Sequence, residues 1–272
     1  MKNSKYLNVF CKITLIVTIG LVFGSCKAEK GCIDKTAENY SATADEDDGS
    51  CIYKTVTLVQ FSHNFDGQNF TGSTIEQSDY TIESGEEIKF KSLNYIISDV
   101  VLIKENGEVV PLFDYHQVSL VTELTHTTPA VSVDQGNYSA IEFTLGLDAV
   151  DSQKYYSQLS SEYYFDWPTS SGGGFQYFGL TGSYKKSTNS YYTYSFSYLF
   201  GPTTTESNHS RIRLSNVNLD ANKTGIQIKM NVAEWFKNPT VWNVEDNARN
   251  SPYDEDALKV IKEQSTSVFS LG

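Results

Sequence analysis

Residues 141–184 read IEFTLGLDAV (141–150), DSQKYYSQLSSEYYFDWP (151–168) and TSSGGGFQYFGLTGSY (169–184). Ile141, Phe143 and Leu145 alternate with polar or small neighbours, the period-two signature of a strand with one buried face. The Gly146-Leu147-Asp148 turn follows, then a loop around Trp167, then three consecutive glycines leading to a second alternating run through Phe175, Tyr177 and Leu180. Two strands joined by a long aromatic loop already favour an all-β architecture.

The flanks repeat the pattern. From Tyr53 onward, Val56, Leu58 and Gln60 oppose Thr57, Val59 and Phe61. Ile88 and Phe90 open one run, and Tyr95–Ile97 with Val100–Ile103 read as a second, buried strand. Asn106-Gly107 ahead of Val109-Val110 predicts a hairpin with a type I′ turn, because both residues accept positive φ. Tyr115–Val121, Tyr138–Leu145, Tyr191–Phe200, Ser210–Val217 and Gly225–Met230 supply further strands, the second of these introduced by the turn Asp134–Asn137. Helix is confined to one turn at Val232–Phe236 and a short amphipathic segment at 254–263. These short strands separated by turn signals predict an antiparallel β-sandwich with long loops and little helix.

The 272 residues carry 21 Lys+Arg against 33 Asp+Glu, a net charge of −12. Lys2, Lys5 and Lys12 flank the apolar run Ile13–Phe23, which ends in Gly24-Ser25-Cys26. This start resembles a bacterial lipoprotein signal, with residues 1–25 removed and Cys26 lipidated. The chain is thereby expected at the outer membrane or cell surface, attached through the lipid alone. No later apolar run reaches the ~20 residues of a spanning helix. Removing a basic leader leaves a still more acidic chain, which argues against nucleic acid and against adsorption to anionic lipid.

With Cys11 in the signal and Cys26 lipidated, Cys32 and Cys51 remain to pair in a compartment that permits disulfides. They bound a module, residues 31–53, too polar to build its own core, and a bridge would contribute about 3 kcal/mol in the chain-entropy model. The segment resembles a short Asp-rich module of exported bacterial proteins: Gly-Cys, Asp34, Ala37, Asn39-Tyr40, Ala44, then Asp47-Asp48-Gly49-Ser50-Cys51. Asp45, Asp47 and Asp48 are its candidate calcium ligands, since Ca2+ needs six to eight oxygens. A solvated acidic turn is the competing reading.

Several motifs in order point to one family for residues 54–272. They are Phe61-Ser62-His63, the run Lys89–Val100, Gly136–Tyr138, Gly146–Asp148, Phe165–Trp167, Gly174-Phe175, Gly179–Gly182 and the closing Ser267–Ser270. Together these resemble the MbnP family of exported copper-binding proteins. The resemblance implies a β-sandwich and a mononuclear copper site built from histidines. In some members it also implies a tryptophan oxidised to kynurenine by a di-haem peroxidase-type partner. On that resemblance His63 matches the first histidine and Trp167 lies in the tryptophan region, while Leu199 and Thr169 replace a family histidine and a second tryptophan. His116 is the remaining strand-borne candidate, since His126 and His209 lie in polar loops. Copper favours imidazole and soft sulfur, and the resemblance implies a protein that binds the metal rather than catalyses.

No nucleophile elbow, phosphate-cradling loop or zinc-protease helix is present. The alternative is a surface module that binds glycan or protein through Tyr155-Tyr156, Tyr163-Tyr164 and Tyr191-Tyr192, although a strand normally sends one ring of each pair into the core.

Overall fold

The computed structural model describes residues 27–120, 127–154, 159, 167–186, 188, 191–192, 194–205, 208–222, 225–247 and 255–272. The signal and lipidation site at Cys26, His126, Phe165 and the tyrosine pairs at 155–156 and 163–164 lie outside the described residues. The chain divides into two compact units between Tyr53 and Lys54.

In the first unit, β1 (Lys30–Gly31) pairs in parallel with β2 (Glu46–Asp47). Cys32 and Cys51 form a disulfide, and Cys32 and Ala37 are its buried apolar residues. Asn39 clamps the C-terminal end, donating to the Ser50 carbonyl and accepting from the Ile52 amide.

The second unit is a β-sandwich. Its strands are β3 (Lys54–Phe65), β4 (Gln68–Asn69), β5 (Tyr80–Thr81), β6 (Glu87–Lys104), β7 (Val109–Ser119), β8 (Val131–Asp134), β9 (Gly136–Leu145), β10 (Phe178–Tyr184), β11 (Tyr194–Phe200), β12 (Ser210–Leu219), β13 (Gly225–Asn231) and β14 (Phe269–Leu271). One layer runs β11-β10-β6-β9-β12, with β5 and β7 also on β6; the other runs β14-β13-β3-β4, with β8 on β3. The described residues include the helices α1 (Ala149–Lys154) and α2 (Glu255–Gln264). A 3-10 turn at Val232–Phe236 has Asn231 as its cap, accepting from the Ala233 amide. Among the described residues no helix is long and apolar enough to cross a membrane.

The period-two reading of β3 holds, and the structure decides which set faces inward. Thr55, Thr57, Val59, Phe61, His63 and Phe65 are buried, while Val56 is 58% exposed. Hence two threonines and a histidine enter the core and a valine does not. β3 also pairs in parallel with β13, an exception to the antiparallel rule elsewhere in the layers.

β6 is the spine. Its two apolar runs belong to one strand, and from Leu93 to Ser98 residues of both parities are buried, so both faces are covered there. The strand bulges at Asp99, which takes φ +51° and lies where the pairing register to β9 slips between Ser98 and Val101. The β6–β7 hairpin forms where expected, but its turn is not type I′. Gly107 takes φ +86° and Asn106 is not in the positive region. Lys104 and Glu108 close the loop instead, and Asn106 accepts the Glu108 amide. That is the three-residue solution with glycine at the left-handed position.

The stretch 141–184 has an arrangement that periodicity cannot show. β9 and β10 both run antiparallel to β6 and lie end to end on it, with Leu145 opposite Ile97 and Phe178 opposite Tyr95. Ile96 joins the two, accepting the Gly146 amide and donating to the Tyr177 carbonyl. Residues 146–177 therefore leave and rejoin one continuous strand line at a single point. The junction is tight: Gly146 takes φ +101°, and a Cβ there would lie 2.6 Å from the Tyr177 ring.

Between the layers, aromatic rings carry much of the core. Phe65, Phe70, Tyr80 and Phe90 form one group with ring separations of 4.8–5.9 Å. Trp235 of the 3-10 turn lies 4.3 Å from Phe178. Such offset and edge contacts add to area burial.

Candidate functional site

His63 and His116 come from opposite sheets and meet different members of one ring pair, Tyr95 and Phe61. His63, on the inner face of β3, is 7% exposed, and its Nε2 is 2.9 Å from the Tyr95 hydroxyl of β6. Tyr95 is fully buried, and that burial pushes its phenol well above the usual range. A phenol that keeps its proton still offers its oxygen as an acceptor, so the Nε2–H tautomer of His63 can donate to Tyr95 and leave Nδ1 free as a ligand atom. Phe61, two residues before His63 and on the same face, packs edge-on to Tyr95 and stacks on His116 of β7, each with centroids 6.2 Å apart. His116 also meets Phe113 at 6.0 Å. Sequence reasoning named both histidines, but the Tyr95–Phe61 ring contact that links them emerges only from pairing the two layers.

Trp167 stands apart in role. It is 3% exposed, and its Nε1 donates to the carbonyls of Ser171, at 3.1 Å, and Pro202, at 2.6 Å. Its ring covers Gly201, where a Cβ would lie 2.6 Å from Cδ2. Trp167 thus ties the excursion 146–177 to the end of β11. Leu199 is in β11 opposite Gly179, and Thr169 opens the short 3-10 turn that ends at Ser171.

Donor chemistry gives a fit test for copper. Imidazole donors as such suit that metal. The Trp167 indole does not, because its one polar atom is a donor already aimed at two carbonyls. Among the described residues no third histidine, cysteine, aspartate or glutamate gathers with the two histidines.

The acidic module uses its carboxylates locally. Asp47 accepts the Gly49 amide and Asp48 the Ser50 amide, both at 3.0 Å, and the bonds from Ser50 hold the Asp48 carboxyl below its ordinary value. Asp34 accepts from Thr36 and from the Tyr53 hydroxyl. Asp45, Asp47 and Asp48 do not bring three ligand atoms within 4.8 Å of one another.

Asp99, Asp148 and Asp151 do so. Sequence reasoning quoted Asp148 within Gly-Leu-Asp and Asp99 within the Lys89–Val100 run, yet assigned neither a ligand role. Asp148 caps α1, its Oδ1 accepting the Asp151 amide at 2.8 Å. Burial first, then the charges of Asp99 and Asp148, push the Asp151 carboxyl up to about 6, with Lys154 opposing. As for the surface reading, Tyr191 is 72% exposed while Tyr192 is partly buried, so this pair sends one ring outward.

The MbnP family model matches residues 54–253. The solved structure of MbnP from Methylosinus trichosporium is 13% identical, with a TM-score of 0.48, and the match covers 80% of this chain and 98% of that one. No curated protein matches the sequence.

Proposed function

The chain belongs to the MbnP family, and on that premise we propose that it is an exported protein that holds copper through His63 and His116 without turning over a substrate. The observation that supports this most is that the two imidazoles, one from each sheet, are linked through one ring pair, His63 against Tyr95, Tyr95 against Phe61 and Phe61 against His116. Bound there, the metal would supply a single redox-capable centre. The chain's own contribution is to keep water away and to fix the His63 ring, since Tyr95 is fully buried and bonded to Nε2. In this reading Cys26 carries the lipid that keeps the protein at the outer membrane or cell surface. A di-haem peroxidase-type partner would enter through Trp167, and the two carbonyls bound by its indole favour an anchor that stays unmodified.

Elemental analysis of the purified native chain tests the proposal. About one equivalent of copper is expected, lost in His63→Ala and in His116→Ala while both variants stay folded by circular dichroism. A protein that contains no copper and ignores added Cu(I) and Cu(II) would refute it. Intact mass settles Trp167 separately, with no added oxygen expected.

A further inference from the structure

The carboxylate cluster on β6 and the excursion has a feature that an ordinary acidic surface lacks. Asp151 is only 8% exposed, and its Oδ2 is buried without a hydrogen-bond partner. A buried ionised oxygen left unpaired is strongly disfavoured unless a proton or a cation satisfies it. Around it stand two more carboxylates, Asp99 and Asp148, both half-buried and hence reachable from solvent.

Three elements converge to build the cluster. The β6 bulge turns Asp99 out of the strand line beside β9. The Gly146-Leu147-Asp148 turn places Asp148 where the excursion departs, and the first turn of α1 brings Asp151 back. Their ligand atoms all lie within 4.8 Å of one another. Two oxygens each about 2.4 Å from one ion can be at most about 4.8 Å apart, so this spacing fits a single calcium-sized sphere. Three carboxylates offer up to six oxygens, near the lower end of the calcium requirement, and solvent can complete the shell.

Positive charge nearby is already engaged. Arg211 donates to the Asp99 carbonyl rather than its carboxylate and also bonds Glu142 and Thr144. Lys154 is 3.6 Å from Asp114. The alternative to a cation is a shared proton, and Asp151 is close enough to Asp99 for the two carboxyls to hydrogen-bond.

We propose that Asp99, Asp148 and Asp151 form a binding site for one hard divalent cation, Ca2+, which ties the bulge of β6 to the start of the excursion. The site uses none of the copper-reading residues, so either can fail alone.

Calorimetric titration of the mature chain with CaCl2 at neutral pH tests this, alongside thermal unfolding with and without the ion. One equivalent is expected to bind, and at ten times Kd the Tm should rise by about 3–6 °C. Asp151→Asn should weaken binding at least about tenfold. Because it removes one of three like charges at constant shape, its ion-free form should melt no lower than the parent. Asp99→Asn, at a left-handed position that asparagine tolerates, repeats the test should Asp151→Asn fold poorly. Asp47→Asn, in the Cys32–Cys51 module, and His63→Ala should both bind calcium as the parent does. No heat and no Tm shift with Ca2+ would overturn the site and leave a proton shared between carboxyls. Binding that survives in the folded Asp151→Asn and Asp99→Asn variants, or is lost in Asp47→Asn, would overturn it equally by placing the ion elsewhere.

Discussion

Gly201→Ala isolates the contact that holds the excursion down. Gly201 has an ordinary backbone conformation, so alanine carries no torsional penalty and the effect is steric. The new Cβ would lie 2.6, 2.7 and 2.9 Å from Cδ2, Cε2 and Cε3 of Trp167, against about 3.5–4.0 Å for relaxed carbon contacts. The indole or strand β11 must therefore yield by about 1 Å. Overpacking of this kind costs about 1–3 kcal/mol. The indole cannot retreat without stretching Nε1 bonds of 3.1 Å to Ser171 and 2.6 Å to Pro202, and a buried donor left unpaired costs about 1–3 kcal/mol more. Together that is about 2–6 kcal/mol, and for a domain of this size Tm should fall by about 4–24 °C. Thermal unfolding followed by far-ultraviolet circular dichroism reads the shift, and near-ultraviolet circular dichroism reports the displaced indole. In a Trp167→Phe background the smaller ring relieves the clash, so the same substitution should cost at least about 1 kcal/mol less. A Gly201→Ala protein that melts within about 1 °C of the parent with an unchanged near-ultraviolet spectrum would refute the packing argument.

Other perturbations probe the junction and the charged surface. Gly146→Ala combines an unfavourable φ of +101° with a Cβ placed 2.6 Å from Tyr177, and urea unfolding should show a loss of at least about 2 kcal/mol; a loss under about 0.5 kcal/mol would mean the junction relaxes freely. Glu142 is bonded by Arg211 and Arg213, whose bonds outweigh its burial and hold its carboxyl below the usual range. A depressed folded-state pKa stabilises above the unfolded value near 4.3 and loses that contribution as pH falls through the folded value. Glu142→Gln should therefore cost about 0.5–1 kcal/mol at pH 7, with the gap to the parent closing below about pH 4. A gap that stays constant from pH 7 to pH 3 would contradict this.

The sandwich was legible because its strands alternate: Ile141, Phe143 and Leu145 are all fully buried, as their spacing implies. In β3 the spacing showed the period but not the face, since Thr57 and His63 go inward only because that face meets the other sheet. Between Leu93 and Ser98 alternation fails for a physical reason, namely that both faces of β6 are covered. The hairpin at Asn106-Gly107 was readable and its turn was not, because one residue of loop length changes which position needs positive φ. His63 and His116 could be nominated singly by residue type. The Tyr95–Phe61 contact that links them depends on strands distant in sequence. Asp99 escaped notice because a strand bulge turns it out of line, and Asp148 and Asp151 because they read as an ordinary helix start.

Because β9 and β10 continue one another across Ile96, the sheet regards residues 146–177 as a detour with a single address. Its two ends are already neighbours, so lengthening or shortening it leaves every strand pairing in place, and closure cost rises by only about 0.6 kcal/mol per doubling of length. The detour also brings its own apolar ballast in Leu147, Leu159, Trp167, Phe175 and Tyr177, all buried. It is therefore a cassette whose carboxylates and tryptophan could be exchanged as one piece, with Gly146 and Tyr177 as the graft points and the sandwich left to fold as before.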